Sequence, residues 1–160
     1  MEEYTFKENN NEQALISELL QMRDEDQKAR KAQDPESMRV IDEKNTQRMK
    51  QLIAEYGWPV VSKVGEAGAA AAWLLVQHAD RDTSFQEQCL ELMKQQLEGE
   101  VKPRHMAMLE DRILVNKGLP QKYGSQFYRN ENGVYVPRPI EDEVSVEERR
   151  KEVGLPTLEE

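Results

Sequence analysis

The chain is poor in cysteine, in basic charge and in long apolar runs, and each shortage excludes something. Cys89 is the one cysteine among 160 residues. A lone cysteine closes no internal disulfide, which fits a reducing cytoplasm. Lysine and arginine number 22 against 31 acidic residues, a formal net charge of −9. Such a surface repels phosphate backbones and anionic lipid, so neither a nucleic acid nor a membrane is expected as a partner. The longest strongly apolar run is Ala67 to Val76, about half of the ~20 residues that cross a bilayer. The first residues, MEEYTFKENNNEQ, lack the basic region and apolar core of a signal peptide. No HxxxH, HxxE or CxxC spacing occurs, so no metal and no other cofactor is expected.

What is present is helical periodicity. Residues 1–10 read as a polar, flexible N-terminus, followed by a single helical domain over 11–158. Leu15, Leu19 and Met22 recur at three and four, with Ile16 and Leu20 widening the stripe, which predicts a helix from Asn11 to about Lys31. AQDPES breaks it, because the residue before a proline avoids helix. A second helix is predicted from Pro35 or Glu36 to Tyr56, with Met38, Ile41, Met49, Leu52 and Ile53 on a sparse stripe that also carries Asn45. Gly57 stops it, and Trp58-Pro59 makes a stiff turn. Glu66–Asp80 reads as an alanine-rich central helix. A fourth helix, capped near Asp82 to Ser84, runs to about Glu98. A fifth opens at Pro103 and closes at Gly118.

Beyond Gly118 the period changes. Residues 126–140 alternate apolar and polar around Asn132-Gly133, the signature of a hairpin, and Pro137 and Pro139 confine the second strand to an edge. SVEERRKEVG then suits a short helix from Ser145. The expected fold is mainly α: a compact bundle of about five helices with a C-terminal β-hairpin and a short last helix.

Several polar residues fall on faces otherwise built for burial. Stepping from Leu15 through Leu19 and Met22 leads to Asp26 and Arg30, with Gln27 beside Asp26. In the central helix Gln77 follows Ala70 and Trp73, His78 follows Leu74 and Leu75, and Asp80 lies at the end. In the fifth helix Asp111 and Arg112 share sides with Ala107 and Met108. Burying such groups without partners costs several kcal/mol. Either they bond locally or point at solvent, as structural residues, or they meet at one end of the bundle and leave a polar pocket with apolar walls.

These pieces also form a pattern. DQxxR (Asp26, Gln27, Arg30), GWP (Gly57 to Pro59), VG (Val64, Gly65), QHAD (Gln77 to Asp80), FQ (Phe85, Gln86), DR (Asp111, Arg112) and QKYGSQ (Gln121 to Gln126) resemble, in order and spacing from about Leu15 to Leu158, a family of bacterial proteins known only as a domain of unknown function. That family usually has threonine where Ser125 stands. The resemblance implies that the polar groups act together and brings no reaction with it.

Histidine is the natural acid–base candidate, since its charge changes near neutral pH. Asp80 is suited to orient His78 only if the helix ends by Ala79, so Asp26 and Asp111, from other helices, are the better partners. The candidate catalytic residues are His78, Asp26 and Asp111. The candidate ligand-binding residues are Gln27, Arg30, Trp58, Gln77, Asp80, Arg112, Gln121, Tyr123 and Gln126. Arg30 and Arg112 suit a carboxylate or phosphate, or else pair internally with the aspartates. Trp58 offers a stacking wall or is core. Gln121, Tyr123 and Gln126 offer a lid. Cys89, on an apolar stripe, reads as packing, and His105, among charged residues in a first helical turn, reads as surface. A small-molecule or peptide-binding, enzyme-like domain is the favoured function. An interaction module of the immunity or accessory kind, offering its acidic surface to a protein partner, is the alternative.

Overall fold

The structure, a computed structural model, describes residues 2–159. The mainly α expectation holds. Among these residues the elements are α1 (Glu2–Lys31), α2 (Pro35–Tyr56), α3 (Val61–Gln77), α4 (Thr83–Lys94), α5 (Pro103–Asn116), β1 (Phe127–Arg129), β2 (Tyr135–Pro137), a 3-10 turn (Glu143–Ser145) and α6 (Val146–Glu152). No helix among them is long and apolar enough to cross a membrane. The chain divides into two units: residues 1–82 with 96–101, and residues 83–95 with 102–160.

The first unit is a three-helix assembly of α1, α2 and α3. Leu15, Leu19 and Met22 of α1, Met49 and Leu52 of α2, and Ala71, Ala72, Leu75 and Val76 of α3 are buried. Each larger side chain in such a core contributes about 1.5–3 kcal/mol. The helix α1 starts at Glu2, well before the apolar stripe that marks it in the sequence. Its first turns carry no such stripe, so periodicity had nothing to detect there.

Asp34 caps α2, accepting hydrogen bonds from the Glu36 amide at 3.3 Å and the Ser37 hydroxyl at 2.5 Å. Gly57, at φ 76°, ends α2 while its N–H donates to the Ile53 carbonyl. The connector VVSKVGE, between Trp58-Pro59 and the alanine-rich helix, holds one turn of helix and a break. Val61 to Val64 make one turn, Gly65 turns the chain at φ 72°, and the helix resumes. A side chain at that φ would be strained, which is why a glycine separates the two pieces. Residues 96–101 strap this end: the Glu100 carboxylate accepts from the Ser62 amide and hydroxyl, and the Glu100 carbonyl from the Val61 amide.

The second unit joins α4 and α5 to the hairpin and α6. Phe85, Cys89, Leu90 and Met93 of α4 are buried, as are Ala107, Leu109 and Ile113 of α5. The helix α4 stops at Lys94, short of the expected Glu98. The strands β1 and β2 pair antiparallel with Tyr128 opposite Val136, and the Asn130 side chain accepts from the Asn132 and Val134 amides to close the turn. His105 corrects a sequence reading: it is buried, not on the surface. It lies one turn before Leu109 and two before Ile113, both buried, a spacing that its charged neighbours Arg104 and Lys102 obscured. Burial, helped by Arg104 and Lys102, lowers its pKa to about 4.

Candidate functional site

In the first unit α1 carries Asp26 to the end of its apolar stripe, where the carboxylate is fully buried. A buried carboxylate needs hydrogen-bonded or charged partners, and Asp26 has both. The helix α3 ends at Gln77, and His78 is its C-terminal cap, its N–H donating to the Leu74 carbonyl at 3.1 Å. The imidazole Nδ1 lies 3.0 Å from each Asp26 carboxylate oxygen. An ionised carboxylate only accepts, so in this contact Nδ1 is the donor. Of the aspartates weighed from the sequence, Asp26 is the one that meets His78.

Arg30, one turn after Asp26, continues the network. Its Nη1 lies 3.2 Å from Asp26 Oδ1, and its two Nη atoms donate to the two Asp42 oxygens at 3.0 and 3.1 Å. Asp42 comes from α2, where Thr46 donates its hydroxyl to the Asp42 backbone carbonyl at 2.7 Å. Three helices thus contribute to one cluster of two carboxylates, one guanidinium and one imidazole.

The cluster borders a pocket of about 560 Å³ lined by Arg30, Met38, Arg39, Asp42, His78 and Asp80, among others. Arg39 is held by Glu36 and, at 3.5 Å, by Glu43, and Asp82 by Lys50 at 2.6 Å. The wall therefore mixes an apolar patch with charged groups of both signs. Asp42, Arg39 and Arg81 escaped the sequence reading. Asp42 had a signal: it lies one turn before Thr46 and two before Met49, both buried. Thr46 was not counted as core, so that face went unread.

Other first-unit candidates lie elsewhere. Gln27, expected beside Asp26, is exposed. Trp58 is 4% exposed and packs as core. Gln77 is buried. None of the three lines this pocket. Asn45, on the apolar stripe of α2, is buried with no hydrogen-bond partner on either side-chain atom.

The remaining candidates converge in the second unit, on a different task. Asp111 is fully buried. Its Oδ1 accepts from the Lys122 and Tyr123 amides at 2.8 and 3.0 Å, and its Oδ2 from the Ser125 amide and hydroxyl at 3.0 and 2.7 Å. Gln121, also fully buried, donates Nε2 to the Gln126 and Arg138 carbonyls and accepts from the Gln126 amide, each at 2.9 Å. Arg112 donates to the Gln126 side-chain oxygen at 3.0 Å. Arg150 donates to the Tyr123 and Pro156 carbonyls, both at 2.7 Å. The motifs DR and QKYGSQ therefore read each other: one supplies the carboxylate, the other the loop it folds. Gly124 sits inside that loop at φ 66°, where an added Cβ would meet Ile140 and Leu158 at 3.0 and 3.1 Å.

A model described as a family of unknown function, DUF6624, matches residues 13–160. The chain belongs to the family DUF6624. Its match spans both the Asp26–His78 cluster and the Asp111 loop. No curated protein and no solved structure matches the chain. The description of DUF6624 names no activity.

Proposed function

We propose that the first unit is a small-molecule-binding, enzyme-like site whose reacting group is His78, oriented by Asp26. The observation that carries this reading is the Nδ1 contact at 3.0 Å to a fully buried carboxylate, at the edge of a pocket of about 560 Å³. A histidine held this way keeps one tautomer and offers Nε2 as a general base, while the aspartate stabilises the imidazolium formed when a proton is taken. Arg30 adds a second cationic partner at Asp26 Oδ1. The pocket volume suits a metabolite-sized ligand, and its mixed charges suit a polar one. In this reading Asp111, Arg112, Gln121, Tyr123 and Gln126 build a rigid loop and take no direct part in chemistry. The buried lone Cys89 accords with a reducing cytoplasm.

The test is a thermal-shift screen of small polar metabolites against the wild type and His78→Ala. At least one compound is expected to raise the wild-type Tm and leave the variant unmoved, with both free proteins melting cooperatively. If every compound that binds shifts both proteins equally, His78 is not part of the site.

A further inference from the structure

We propose that Asp26, Asp42 and His78 form a binding site for a divalent cation with mixed nitrogen and oxygen ligands. One ligand atom from each of the three lies within 4.8 Å of the others. The His78 Nδ1 to Asp26 distances of 3.0 Å match the separation of adjacent ligand atoms around an ion bonded at about 2.1 Å. The donors come from three elements, α1, α2 and the end of α3, so the fold and not a loop brings them together.

Charge supplies a second, independent argument. Two carboxylates, one of them fully buried, face one guanidinium. With His78 neutral the cluster carries one net negative charge, with Asp26 buried and Asp42, Arg30 and His78 only partly open to solvent. A proton on His78 balances it, and so does a cation that replaces the Nδ1 proton. The adjoining pocket leaves room for the waters that complete coordination, since Asp42 and His78 both line it. Two carboxylates and one imidazole suit manganese, iron, cobalt or zinc better than calcium, which takes oxygen ligands alone. Arg30, bridging Asp26 and Asp42, is the internal competitor for the same oxygens. Binding of the ion pushes the guanidinium toward the pocket.

The inference rests on the pocket reading only for what the ion does there: it would activate a water in place of the imidazole base. Binding itself is tested separately, by calorimetric titration of Mn²⁺ and of Zn²⁺ into the wild type, Asp42→Asn, His78→Ala and Arg30→Met. One wild-type site is expected, weakened tenfold or more in Asp42→Asn and His78→Ala while circular dichroism stays unchanged. Arg30→Met, lacking the competitor, is expected to bind more tightly. No wild-type binding, or binding that Asp42→Asn and His78→Ala leave intact, overturns the proposal. Metabolite binding lost in His78→Ala without any ion would then keep the acid–base reading standing while the cation site falls.

Discussion

Asp26 and Asp111 are the same residue type at the same burial, both fully excluded from solvent, and they are used in opposite ways. Asp111 spends its oxygens on three backbone amides and one hydroxyl of a single loop. Backbone donors do not move without the chain, so the carboxylate works as a fixed peg. Asp26 is bonded instead to an imidazole and a guanidinium, side chains that rotate, exchange partners and, for histidine, change charge. A buried acid with backbone partners builds structure, and one with side-chain partners keeps bonds that can be exchanged.

The largest effect that tests this contrast is in the peg. Asp111→Ala orphans three amides at once and is expected to cost on the order of 4 kcal/mol, read as a lower urea midpoint. A cost under about 1 kcal/mol would mean that the loop folds without it.

The second is a pH effect in the same unit. His105 stays neutral in the folded chain down to about pH 4, while its reference value is 6.5. Between those values the unfolded chain binds a proton that the native state refuses. Stability is therefore complete above about pH 6.5 and falls as the pH drops to about 4, by at most about 3 kcal/mol. The difference between wild type and His105→Leu across that window isolates it, and a flat difference would contradict it.

Asp26→Asn is expected to be milder, about 1–2 kcal/mol, because Arg30 keeps both bonds to Asp42. Its main consequence is lost ligand binding with a nearly intact melting curve, the reverse of Asp111→Ala. Ser125→Ala, which removes one hydroxyl from Asp111, is expected to cost about 1 kcal/mol, and Ser125→Thr less. Equal costs for the two would show that the hydroxyl bond contributes nothing.

The same contrast explains what the sequence could reveal. The stripe of Leu15, Leu19 and Met22 leads directly to Asp26, and α2, α5 and the hairpin announce themselves by proline, glycine and Asn132-Gly133. Polar groups on apolar faces were therefore legible one helix at a time. Which of them meet was not, because helical phase says nothing about partners in other elements. His78 had Asp26 and Asp111 as equal candidates until the fold set its ring against Asp26. Asp42 stayed hidden because its face is marked by Thr46, a residue that hydropathy counts as polar. The loop motif QKYGSQ read as a lid because the acceptor that folds it, Asp111, lies on a separate helix.

The most direct test of the central claim is the ring nitrogen spectrum of His78 in ¹⁵N-labelled wild type and Asp26→Asn. The expected wild-type pattern is a proton held on Nδ1 with Nε2 bare, and a mixture of tautomers once the carboxylate is gone. A proton on Nε2 in the wild type, or identical spectra in the two proteins, would contradict it.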